Sequence, residues 1–221
     1  MIPLLFAAVA LADAPKSCPD VITPEAMICR GIRAQSNGQF RDAAQAFEQA
    51  AIASPDNDPT TARLWAAAGN MWIAASENGK AAFALDKALA VPGLVGDQRG
   101  EALIDRARAA EAMGDLKIAR SRLDQAMQFV SEDPFAWFFS AALAIREGDP
   151  IKAQAAINHA LTLAPAEPII LFEAGHVAQF AGDEAKAKSY WQQVVAADGK
   201  SEIGKAARQA LELLAAPAPK K

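Results

Sequence analysis

The sequence predicts an all-α protein built from consecutive helical hairpins, and three observations carry that expectation. About a quarter of the 221 residues are alanine and only one is Tyr, a composition that favours helices packed closely through small side chains. A spaced pattern of small and bulky apolar residues recurs along the chain, anchored on Ala43, Ala81, Ala119, Ala153 and Ala187. A complementary apolar stripe precedes each of those anchors. With 52% hydrophobic residues, a chain of this length buries a continuous core without outside help.

The first element is not part of the repeat. Residues 1–12 form an apolar run through Leu4, Leu5, Phe6, Val9 and Leu11, followed by small-x-small tripeptides. That reads as the hydrophobic region of a secretory signal, with cleavage after Ala12, because Pro15 disfavours a cut after Ala14. No Lys or Arg precedes the run. It is about half of the ~20 residues needed to span a bilayer, so stable membrane insertion is not expected. The predicted location is an exported, periplasmic one, or the cytoplasm if the segment is no functional signal. Residues 13–23 are expected to be extended. Cys18 and Cys29 are the only cysteines, and two readings stand open: a disulfide formed in an oxidising compartment, or two unpaired thiols.

Residues 24–199 hold the repeat. The segment from Gly38 to Ala50 returns as Gly114 to Ala126, Gly148 to Ala160 and Gly182 to Val194. Each copy has a turn glycine, an alanine five residues on, a bulky apolar residue four later and a small one three after that. The anchoring alanines are separated by 38, 38, 34 and 34 residues. The spacing puts the anchor, then Phe47, Leu85, Leu123, Ile157 and Trp191, on one face of a helix. The preceding helix carries Met27, Trp65, Leu103, Trp137 and Leu171, each followed four residues later by Gly or Ala. Asp115, Asp149 and Asp183 stand at N-cap positions, with Pro150 at the first helical residue. Pro55, Pro134 and Pro165 are read as punctuating the ends of units. The second unit lacks the turn glycine and has Ser76-Glu77-Asn78-Gly79 instead. Two junctions, around Asp56-Asn57-Asp58-Pro59 and Val91-Pro92-Gly93-Leu94, are four residues longer than the rest. They read as tolerated surface insertions, the alternative being a local change of twist or contacts of their own.

Residues 200–215 complete the array. Ile203, Ala207, Ala210, Leu211 and Leu214 share one helical face and Lys205, Arg208, Gln209 and Glu212 the other, as the closing helix of a repeat array requires. Residues 216–221 read as a disordered tail.

This register resembles the tetratricopeptide repeat family, a helical-hairpin array with a 34-residue period. The resemblance covers residues 24–199 and implies a right-handed superhelical solenoid of about five hairpins plus the capping helix. It also implies that the first helix of each hairpin lines a groove that binds a protein or peptide segment. Carried over position by position, the groove residues include Asn70, Arg108, Phe135, Phe138, Ile145, Phe172 and His176, with Arg146 and Phe180 one step further round. Phe138, Phe172 and His176 are expected to carry most of the affinity, with Phe135, Ile145 and Arg146 as the rim, the alternative being that these rings are core residues sealing one unit to the next. Some relatives clamp a C-terminal carboxylate with Lys, Asn and Arg; Asn70 stands at the asparagine position, but Ala66, Asp105 and Phe135 supply no basic partner.

Chemistry of other kinds finds no footing in the sequence. No GxSxG, HExxH, P-loop or CxxC occurs, and His159 and His176 have no second ligand at helical spacing. No enzyme activity, cofactor or metal is expected. The net charge of −4 is spread over interspersed charges, so nucleic acid is not expected as a partner. The function that follows is a scaffold binding a segment of a cell-envelope protein, the rivals being self-association into a homo-oligomer and, less in keeping with a Phe- and Ile-lined groove, an enzyme on a helical scaffold.

Overall fold

The computed structural model describes residues 17–215. The expected signal segment 1–12 and the expected tail 216–221 lie outside the described residues. Eleven α-helices account for the described chain: α1 Pro24–Ser36, α2 Phe40–Ala53, α3 Pro59–Ala74, α4 Asn78–Ala90, α5 Asp97–Ala112, α6 Leu116–Ala126, α7 Pro134–Glu147, α8 Pro150–Leu163, α9 Pro168–Phe180, α10 Glu184–Asp198 and α11 Glu202–Ala215. They gather into two compact units, Met1–Phe129 and Val130–Lys221. In the first, the hairpins α1–α2, α3–α4 and α5–α6 follow one another, with α2 against α3 and α4 against α5. In the second, α7–α8 and α9–α10 pair, α8 packs on α9, α7 touches α9, and α11 closes over α10 and α9.

Capping side chains and prolines mark where several of the helices begin. The side chains of Asp115, Asp149 and Asp183 accept from the backbone N–H three residues on, at 3.0 Å in each case, which satisfies an amide the helix cannot. Those N–H groups hold the Asp149 and Asp183 carboxyls below the usual aspartate range. Asp58 and Asp133 cap α3 and α7 in the same way, two residues ahead of Thr60 and Phe135. Pro134 is therefore not a stop signal: it is the first residue of α7, as Pro24, Pro59 and Pro168 are of α1, α3 and α9. A missing N–H costs nothing there.

The turn inside each hairpin needs one left-handed residue, and the chain supplies it in register. Gly38, Gly114, Gly148 and Gly182 have φ of 71°, 83°, 76° and 81°, and in the second hairpin Ser76 takes φ 60° in their place. Gly79 lies inside α4 and is not the substitute. A serine side chain in this region is strained where glycine is not.

Packing within the hairpins follows the small-to-large pattern. All five anchoring alanines are fully buried. The bulky residue four positions later projects onto the small residue of the facing helix: a Cβ on Gly31 would fall 2.7 Å from the Phe47 ring. At Gly175 it would fall inside the Trp191 indole. The glycines are thus sockets for the second helix's large side chains. Not every stripe residue is equally covered. Trp137 is only half-buried, its indole N–H donating to the Ser131 carbonyl at 2.7 Å and its ring against His159.

The second long junction is not a free surface insertion. Leu94 is buried within the first unit's core, and Gly93 lies so close to the start of α3 that a Cβ would meet the Pro59 carbonyl oxygen at 2.6 Å. In the first junction, the fully buried Thr61 hydroxyl donates to the Pro55 carbonyl at 2.7 Å. In α11, Ala207 is buried and Ile203, Ala210, Leu211 and Leu214 pack on the core around Trp191, while Lys205, Arg208, Gln209 and Glu212 are exposed. That is the division its sequence predicts.

Candidate functional site

The residues expected to bind a partner fall into two sets, one in each unit. In the second unit they lie on α7 and α9, the first helices of their hairpins. Helix α9 is buried at eight positions. What remains open is a single stripe: Pro168, Phe172, His176, Gln179 and Phe180. Two aromatic rings on the one open face of an otherwise sealed helix are unusual, because solvent alone favours polar residues there.

That stripe is held in place from beneath. The Trp191 indole N–H donates to the Phe172 carbonyl at 3.0 Å, and the Phe172 and His176 rings meet edge-on with centroids 4.5 Å apart. His176 Nδ1 lies 3.2 Å from the carboxylate of Glu173, which is buried. That contact ties the imidazole to the turn of α9 that carries Glu173. His176 is fixed in orientation, with its ring also 5.6 Å from that of Trp191.

On α7, Phe135 is 39% exposed and Phe180 on α9 is 40% exposed. Arg146 is also exposed, while Phe138 and Ile145 are half-buried against the core around Ile157 and Val177. Phe172 is likewise half-buried against the core around Trp191. Phe138, Ile145 and Phe172 therefore serve packing as well as surface, whereas Phe135 and Phe180 are the more exposed rings of the set. Ile169, on the same helix as Phe172, is buried in the core.

Asn70 and Arg108 belong to the first unit and converge on Asp105, which the register places where a carboxylate clamp would need a basic residue. Asn70 Nδ2 donates to Asp105 Oδ2 at 2.9 Å, and Arg108 lies 3.7 Å from the other carboxylate oxygen. Burial pushes the Asp105 carboxyl above the ordinary aspartate range, a shift that Asn70 and Arg108 oppose. The asparagine's donor is thus already engaged by a carboxylate, and a second carboxylate from a ligand would be repelled there. The i,i+3 spacing of Asp105 and Arg108 was visible in the sequence; the contact from α3 was not.

Other buried polar contacts also escaped the sequence. Arg106, 7% exposed, donates from Nε to Asp86 at 2.9 Å, and Arg122 reaches the same oxygen at 3.3 Å. Trp72, 1% exposed, donates to Glu48 at 2.9 Å. These tie α4, α5 and α6, and α2 to α3, and serve the scaffold. Among the described residues no group of three or more His, Cys, Asp or Glu gathers as a metal site, and no helix is long and apolar enough to cross a membrane.

No protein-family profile and no curated protein matches the chain. Solved structures do. PilW, a widely conserved type IV pilus biogenesis factor, superposes with a TM-score of 0.72 at 19% identity, over 85% of this chain and 83% of its own. A tetratricopeptide repeat protein from Parabacteroides merdae gives 0.71 at 14% identity, over 86% and 73%. YrrB, a TPR protein with an unusual peptide-binding site, gives 0.61 at 17% identity, over 83% and 91%. At these identities the likeness is one of fold. With hairpins in register, small residues receiving large ones and a closing helix, the chain has the tetratricopeptide repeat fold.

Proposed function

We propose that this protein is a non-catalytic interaction scaffold that receives an extended or helical polypeptide segment along α7 and α9. The observation that carries the reading is the open stripe of α9, where Phe172, His176 and Phe180 occupy the one face the fold leaves uncovered. Aromatic residues of this kind concentrate binding energy, because they bury large area at small entropic cost. Phe135 and Phe180 supply exposed apolar surface, Phe138 and Phe172 a firm floor, and His176 and Arg146 polar contacts at the edge. YrrB's peptide-binding site gives a precedent for a peptide ligand on this fold.

We further propose that the segment belongs to a cell-envelope protein and that the chain is exported. The apolar residues 1–12 support export, as does the disulfide between Cys18 and Cys29, which persists in oxidising compartments. The likeness to PilW, a pilus biogenesis factor, agrees with an envelope setting.

The test is site-directed photocrosslinking in the source organism's envelope extract. A benzophenone amino acid placed at position 180 is expected to form an adduct with another polypeptide. The same group at position 151 on α8, where Ile151 is 81% exposed, is expected to form none. Equal labelling from both positions would overturn the reading, and an adduct between two copies of this chain would assign the stripe to self-association instead.

A further inference from the structure

We propose that the Cys18–Cys29 disulfide is a redox latch that sets whether the first helix of the array is ordered. In the hairpins headed by α3, α5 and α9, the first helix is flanked by the second helix of the hairpin before it. Among the described residues helix α1 has no such neighbour, and the helix it packs on is α2. Its other flank carries residues 18–22, which fold back along the helix they lead into.

Cys18 is bonded to Cys29 with Cα atoms 5.7 Å apart. Arg30 Nη2 donates to the Pro19 and Val21 carbonyls at 2.9 and 3.0 Å and lies 3.7 Å from Asp20. The apolar residues contribute little: Val21 is 49% exposed and Ile22 86% exposed. With little burial to retain it, the segment depends mainly on one covalent bond and one partly exposed arginine. Every tie ends on the adjacent residues Cys29 and Arg30, so losing the bond leaves the segment, and with it the second flank of α1, held by the partly exposed Arg30 alone.

Both cysteines are half-buried, within reach of a small dithiol. A thiolate of the dithiol attacks one sulfur and the S–S bond breaks, giving a mixed disulfide. The second thiol of the reagent then displaces the protein sulfur. The dithiol ends as a disulfide, and Cys18 and Cys29 have taken up its two electrons and two protons as thiols. In an oxidising compartment the latch is closed; a dithiol reductant opens it. This inference does not depend on the identity of any partner.

Amide hydrogen exchange on the full chain tests it in four states: oxidised, reduced with dithiothreitol, Cys18→Ser/Cys29→Ser, and oxidised Arg30→Gln. Amides of residues 24–36 are expected to exchange at least about tenfold faster in the reduced chain and the double-serine variant, with α9 and α10 unchanged. Arg30→Gln in the oxidised chain is expected to stay within about twofold of the parent. Unchanged protection of α1 once mass analysis shows two free thiols would overturn the latch. So would faster exchange spread evenly over α1 to α6, which would make the bond a general stabiliser, or a loss in Arg30→Gln as large as that on reduction.

Discussion

The Trp191 indole donates its N–H to the Phe172 carbonyl at 3.0 Å while its ring occupies the volume that a side chain on Gly175 would need. One residue of α10 thus fixes the height of the α9 stripe. Trp191→Phe keeps most of the apolar volume and removes the donor, and is expected to cost about 1–3 kcal/mol. Gly175→Ala forces the indole to move and should cost as much or more, about 1–3 kcal/mol, by overpacking. Urea denaturation followed through α9 and α10 measures both. A Gly175→Ala chain as stable as the parent would show that the two helices do not meet this closely.

The repeat register is tested independently at Ala153, which is fully buried where α8 meets its neighbours. Ala153→Leu should destabilise by about 1–3 kcal/mol. A change near zero would contradict the register.

Ser76 offers a test of opposite sign. It holds φ 60° at the turn where the other four hairpins have glycine. Ser76→Gly relieves a left-handed conformation and should stabilise by about 0.5–1 kcal/mol, less the entropy glycine adds to the unfolded chain. No gain in urea midpoint would mean that the serine is not strained.

Asp105 predicts a pH dependence. Its carboxyl is raised in the folded state by burial, so the folded chain holds that proton more tightly than the unfolded one. The ionised group therefore weakens the fold above its folded pKa, and this penalty disappears as pH falls towards the unfolded value. Asp105→Asn keeps an acceptor for Asn70 without the charge. Its stability relative to the parent should be greatest near pH 7 and fall towards zero in acid. Asp149 and Asp183, lowered by the backbone amides they cap, contribute with the opposite sign: their stabilisation is present above the unfolded aspartate value and lost as pH falls through their folded values. They are common to both proteins and cancel in the difference. A difference that grows on acidification would contradict the assignment.

Much of this fold was legible because its determinants are local and periodic. The spacing of Ala43, Ala81, Ala119, Ala153 and Ala187 located every hairpin, and the aspartates at 115, 149 and 183 located three helix starts. What stayed hidden depends on tertiary contacts. Pro134 reads as a terminator until Asp133 is seen capping it, and Leu94 reads as loop until it is found in the core. The division after Phe129 leaves no mark in the repeat spacing, which runs from the third hairpin to the fourth with the same 34 residues as from the fourth to the fifth. At the candidate site, register picked out Phe172 and His176 as neighbours on one face. It left open whether Phe138 and Phe172 are packing or surface residues, and could not tell that Asn70 is already held by Asp105.

That double role decides which substitutions are informative. Truncating Phe138 or Phe172 confounds stability with binding, whereas Phe135 and Phe180 are the more exposed rings and should be removable at a smaller cost in stability, about 1 kcal/mol or less. The most direct measurement is therefore the affinity of the segment captured at position 180 for the parent, Phe135→Ala/Phe180→Ala and Ile151→Ala, each with its melting temperature. The double variant should bind at least about tenfold more weakly with only a small fall in its melting temperature, and Ile151→Ala should match the parent in both. Parent-like affinity in the double variant would contradict the assignment of the α7–α9 stripe as the binding surface.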